Sequence, residues 1–361
     1  MAESLIYMPM LYISYILYFS QKTILLIFKI YINIGGIFVT EFRKLMAFGN
    51  SSYVVSVPKA WVEKNRLKKG DVLVVDERPN ELTFSSKDES ERRQMKEATI
   101  GASGKSIQEI KTEVTSLYIN NYDIIMVTDI GSASREIKDV FHSLVGMEIV
   151  EETTTKIVAK DLLDVQEVSM SNIVRRVDII IRSMLEDART FSGAEAESVY
   201  ERDKEVNRLT LLGFRTARAA ADNPRLLRLF ETTYWNIIVS KQILSHLERF
   251  GDQLKRLLRF SKEKGTELNK FKDLKPLYAD IAKHYEAVMK IYYNRDKSQA
   301  FKTETNSKAL LKECDRLLEK YKTLVAARMI EYFKYMITSV SGILRNSMEQ
   351  EEQGQESAAK R

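Results

Sequence analysis

Cysteine is almost absent: the 361 residues hold one, Cys314. A single thiol builds no disulfide framework and fits a reducing cytoplasm, the location expected for the chain. Histidine is nearly as scarce, with His142, His246 and His284 far apart. His142 and His284 fall in amphipathic stretches, and His246 sits two residues before Glu248, about 200° from it around a helix. No Ser/His/Asp set and no zinc-ligand spacing results, so a non-enzymatic protein is expected. A phosphate-wrapping loop is missing as well. Gly101-Ala-Ser-Gly-Lys-Ser106 has two residues between its glycines, where the loop of nucleotide hydrolases has four. It reads as an ordinary strand-to-helix turn, and no nucleotide or organic cofactor is expected. The five prolines act as punctuation: Pro58 opens a short helix, while Pro224 and Pro276 mark breaks between longer ones.

Long uninterrupted apolar runs are also lacking, although residues 1–40 form an apolar extension. The first 39 carry three charges, Glu3, Lys22 and Lys29, and fourteen of them are Ile or Tyr. A secretory signal needs a basic start and a small-residue cleavage site, and neither is there. A membrane helix needs about 20 apolar residues, and Gln21-Lys22 divides the run. Two readings stay open. The segment is a misassigned start, with translation beginning near Val39, or it is a membrane anchor.

What is present begins at residue 41. Phe42-Arg-Lys-Leu-Met-Ala-Phe48 reads as a strand, Gly49-Asn-Ser-Ser52 as a turn and Tyr53-Val-Val-Ser-Val57 as a second strand. Pro58 then opens the helix Lys59-Ala-Trp-Val-Glu-Lys64, and Leu67-Lys-Lys-Gly-Asp71 turns the chain into Val72-Leu-Val-Val75 and Leu82-Thr-Phe84. About 45 residues of this kind cannot bury a core alone, so a homodimer is expected. Net charge of the whole chain is +6, which permits an anionic partner without demanding one. Residues 41–86 hold eight Lys or Arg against six acids.

A charged stretch, Lys87-Asp-Glu-Ser-Glu-Arg-Arg93, leads into a small α/β domain over 87–163. Strands at 98–100, 123–127, 147–150 and 156–159 alternate with helices over 106–117 and 134–144. From 164 to 350 apolar residues recur at threes and fours, as in Ile173, Val177, Ile180, Met184 and Ala188. Helices are expected over 164–191, 195–222, 225–261, 274–296, 307–327 and 329–348, as two three-helix units in one bundle. Residues 351–361 read as a polar tail. The fold class is therefore multidomain α+β.

The polar pattern that stands out lies on the second and third of these helices. Glu201 and Glu205 are four apart with Asp203 between them, and Glu248 and Asp252 are again four apart. Each pair shares a helix face, and like charges so placed repel unless a cation joins them. If the helices are neighbours, the carboxylates form a hard oxygen set suited to a metal cation such as iron, zinc or manganese. The alternative is two solvated faces whose acids pair with Arg202, Lys204, Arg208 and Arg249.

Gly49-Asn-Ser-Ser52, Ser56-Val-Pro58 and Leu67-x-x-Gly-Asp71 resemble the swapped-hairpin domain of the AbrB, MazE and SpoVT families. That resemblance implies two interleaved chains with a basic face on DNA, in which Arg43, Lys44 and Lys59 sit at the matching positions. Asn50, Ser51 and Ser52 would donate to phosphate. The acids on helix two and Leu247-Glu-Arg-Phe-Gly-Asp252 on helix three resemble the PhoU family of phosphate-uptake regulators, of the archaeal type joined to an AbrB-like start. The family's metal clusters would carry over onto Glu201, Asp203, Glu205, Glu248 and Asp252. In the second unit Asp315 and Glu319 keep the spacing, but Ser339-Val-Ser-Gly-Ile-Leu-Arg345 stands where acids are needed. The resemblances imply a DNA-binding regulator of phosphate uptake with a metal-binding sensor bundle. The alternative is a metal-binding interaction bundle that acts on a phosphate transporter or its signalling partner without touching DNA.

Overall fold

The computed structural model describes residues 42–50, 52–78, 81–86, 95–190, 194–223, 225–264 and 271–351. The apolar extension, Ser51, the charged stretch 87–93 and all but Glu351 of the tail lie outside them. Two compact units are present, Met1–Arg93 and Gln94–Arg361.

In the first unit β1 (Met46–Phe48) pairs antiparallel with β2 (Ser52–Val54), bringing Met46 opposite Val54. Gly49 takes a positive φ of 68°, which the tight reversal requires. Ser52 Oγ donates to the Phe48 carbonyl at 2.7 Å and closes the turn. Both strands are shorter than expected, and residues 42–45 and 55–57 lie outside them. Next comes α1 (Lys59–Lys64), whose first-turn amides find the Pro58 carbonyl. Asp71 accepts from the Lys68 amide at 2.7 Å and shapes the following turn. The chain then runs through β3 (Leu73–Arg78) and β4 (Glu81–Ser86), with Val75 opposite Phe84. Among the described residues of this unit none is buried. Phe48 and Tyr53 are each 70% exposed, and Val72, Leu82 and Phe84 also face outward.

The second unit starts with an α/β layer. Its elements are β5 (Glu97–Gly101), α2 (Ile107–Ile119), β6 (Ile124–Thr128), α3 (Ser134–His142), β7 (Met147–Glu152) and β8 (Lys156–Asp161). The sheet order is β5-β6-β8-β7, parallel between β5 and β6 and antiparallel elsewhere. Alternation in the strands sends Ile100, Ile125, Val127 and Ile157 into one core with Ile110 and Phe141 of the helices. Ser106 and Glu109 cap α2 reciprocally, and Lys105 Nζ donates to Glu113 at 2.7 Å. The side chains of Lys105, Ser106 and Glu109 are thus engaged within the turn and the first half of α2.

Helices follow: α4 (Met170–Asp187), α5 (Ala196–Asp222), α6 (Arg225–Leu229), α7 (Tyr234–Lys264), α8 (Leu274–Asn294), α9 (Ala300–Tyr321) and α10 (Leu324–Met348). One apolar stripe per helix feeds a common core, with Ile173, Val177, Leu247, Phe250, Tyr285 and Phe333 among its members. The first long helices, α4, α5 and α7, pack on one another; so do α8, α9 and α10; α7 against α10 joins the two groups. Two boundaries differ from expectation. A single helix over 225–261 is interrupted, because Thr233 Oγ1 accepts from the Asn236 amide at 3.1 Å and starts a new helix. The fifth helix begins at Ala300 rather than 307. The hydroxyls of Thr303 and Thr305 donate back to the carbonyls of Gln299 and Phe301, so the polar stretch continues the helix. No helix of the described residues is long and apolar enough to cross a membrane.

Candidate functional site

The hairpin residues are presented by local geometry alone. Asn50 completes the β1–β2 turn, Arg43 and Lys44 precede β1, and Lys59 opens α1. Arg43, Lys44, Asn50, Ser52 and Lys59 are exposed, and Ser51 is outside the described residues. Lys59 reaches Glu63 one turn on at 3.5 Å, with its side chain still 89% exposed. Such an exposed pair contributes little to stability and leaves the ammonium available to an anionic partner.

The five acids of the helices do not form one ligand set. Glu201 is exposed and accepts from Lys204 at 2.7 Å. Glu205 is taken by Arg176 at 2.6 Å and Arg208 at 3.1 Å. Asp203, Glu248 and Asp252 do come together, and the cation among them is Lys255. Its Nζ lies 2.6 Å from Asp203 Oδ2 and 2.9 Å from Asp252 Oδ1. Asp203 also accepts from Asn207 at 3.2 Å, and the second oxygen of Asp252 accepts from Arg256 Nε at 2.7 Å. Burial alone would lower the Lys255 pKa, but its bonds to the two aspartates outweigh this and hold it above its ordinary value. Burial raises Glu248, and the neighbouring Asp252 and Asp203 push it the same way.

Of the expected metal set of Glu201, Asp203, Glu205, Glu248 and Asp252, the structure brings three members together and leaves two apart. Two of its members are held in separate ion pairs, and of the other three Asp203 and Asp252 bind an ammonium, which supplies no lone pair. No group of three or more His, Cys, Asp or Glu among the described residues is placed to hold a metal ion. Lys255 was not singled out from the sequence, although it stands seven residues after Glu248 and three after Asp252, on the same helix face.

Two polar networks were not anticipated from sequence. Arg215 on α5 is fully buried, ion-paired with Asp161 at the end of β8. It donates to the Tyr118 carbonyl of α2 at 3.0 Å and lies 4.6 Å from the Tyr118 ring centroid. Asp178 on α4, 4% exposed, accepts from Tyr285 Oη at 2.7 Å, Tyr293 Oη at 3.0 Å and Arg182 Nε at 3.0 Å. In the second group of helices, the Ser-Gly run of α10 packs closely on α7. A Cβ on Gly342 would overlap the His246 ring, which would have to move to admit any larger residue. Burial, then Arg249 and Arg345, keep the His246 pKa below its usual range.

These features define two parts: a β-hairpin unit with exposed basic and apolar side chains, and a helical unit closed by internal ion pairs. The family described as antidote-toxin recognition MazE, bacterial antitoxin, matches residues 47–83, from β1 into β4. The hairpin segment is thus similar to the MazE antitoxin domain. No curated protein and no solved structure matches the chain.

Proposed function

We propose that the protein is a DNA-binding transcriptional regulator without a catalytic step, acting as a homodimer paired through residues 42–86. The observation that carries the reading is the MazE-like segment itself: β1–β4 match that family, yet their apolar side chains have no core in a single chain. A second copy would cover Phe48, Tyr53, Val72 and Phe84. Arg43, Lys44 and Lys59 would then meet phosphates, with Asn50 and Ser51 as neutral donors; the Ser52 hydroxyl, which donates to the Phe48 carbonyl, would have to leave that bond to join them. The finer reading, that the regulon concerns phosphate uptake, rests on the Leu247-Glu-Arg-Phe-Gly-Asp252 resemblance and on the six long helices. In it the helical unit receives phosphate status from a transporter or a signalling protein, and no metal step is needed. The near balance of eight basic and six acidic residues over 41–86 favours a second reading, in which the hairpin only dimerises. Chromatin pull-down at native expression separates the two. Enrichment at discrete promoters, phosphate-transport genes among them, is expected. Uniform background recovery of a chain that is dimeric in solution would leave the second reading.

A further inference from the structure

We propose that Lys255 is a built-in cation that stands where a metal ion would have to bind, so that the acidic cluster of α5 and α7 is held together without metal. Nothing in this depends on whether the hairpin binds DNA. Three carboxylates, Asp203, Glu248 and Asp252, repel one another when ionised unless positive charge offsets the repulsion. An ammonium has three donors, and two of them go to Asp203 and Asp252 at 2.6 and 2.9 Å. Both contacts are charge-assisted, and they are shielded: the Asp203 side chain is 5% exposed and that of Lys255 22%. A metal ion would have to displace an ammonium tethered to the same helix, and would meet its charge at close range.

Access points the same way. Lys255, Arg259 and Lys262 line a cavity of about 200 Å³ with Tyr200, Ala196 and Glu197. The cavity beside Lys255 thus carries three basic side chains, all on one face of α7. The arrangement also explains why Asp203, on α5, is buried at the seam with α7. Its ion pair ties the two helices across their packing face.

The test compares the full-length wild type with Lys255→Met, which keeps the length of the side chain and removes its charge. Wild type from metal-replete cells is expected to carry no stoichiometric metal. Its thermal unfolding should be the same in chelator, manganese or zinc. Lys255→Met should unfold several degrees lower in chelator and recover in manganese, because three unneutralised carboxylates then offer hard oxygen ligands. If Lys255→Met does not accumulate folded, Lys255→Gln is measured in the same way. Asp203→Asn combined with Lys255→Met should lose the response to manganese. Stoichiometric metal in the wild type, a rise in its unfolding temperature with manganese, or a lysine variant indifferent to manganese would each overturn the proposal.

Discussion

His284 shows what a single side chain contributes. On α8 it is 4% exposed, and its Nε2 lies 2.8 Å from Ser307 Oγ of α9, while Nδ1 has no partner. A second proton on the ring would create a buried N–H with nothing to accept it. Burial accordingly pushes the imidazole down to about 4 from its ordinary 6.5. Between those values the unfolded chain binds a proton that the folded chain refuses, so stability falls as pH drops from 6.5 towards 4 and is unaffected by this group above 6.5. The slope is at most about 1.4 kcal/mol per pH unit. Urea midpoints for wild type and His284→Gln across that range should diverge, the variant losing less on acidification. Equal slopes would show that His284 is not the titrating group. From sequence this histidine was legible only as one position of an amphipathic helix. Its neighbour Ser307 comes from another helix, and spacing along one chain says nothing of such pairs.

At the scale of elements, Arg215 is one of the links that hold the α/β layer to the helices. Sequence divides them at residue 163, but both belong to one compact unit. Arg215 joins α5 to β8 through Asp161 and to α2 through Tyr118, and its side chain is 1% exposed. Removing one partner of such a buried pair leaves the other charge uncompensated, at a cost of about 3–5 kcal/mol. Arg215→Met should destabilise the chain to urea by that order. Asp161→Asn added to it should cost less than the two single changes summed, since the pair can be broken only once. Strictly additive effects would mean that the two side chains are not coupled. The strands and long helices were largely legible, because periods of two and of three to four residues survive in the sequence. The missed boundaries have local causes: Thr233 capping a new helix and Thr303 and Thr305 extending another. The acidic motif was legible as a pattern, and its cation was missed because a lysine beside acids reads equally well as a solvated pair.

At the scale of the whole molecule, a β unit in which no described residue is buried is joined in sequence to a unit with its own core. The hairpin was readable because its turn is written locally, in Gly49 and the residues around it, and so was the lack of a core in so short a segment. What the helices respond to is not written so locally, for the groups that would sense a signal are brought together only by packing. The claim that matters most is DNA binding through the hairpin. Its direct measurement is the affinity of the full chain for promoter duplex as a function of salt, beside the variant carrying Arg43→Ala, Lys44→Ala and Lys59→Ala. For the wild type, log affinity should fall linearly with log salt, by about 0.9 for each phosphate engaged. The triple variant should bind every sequence more weakly, with a slope shallower by about 0.9 for each phosphate it no longer neutralises. A triple variant with the affinity and slope of the wild type, or a wild type that binds no duplex at low salt, would contradict DNA binding through this face.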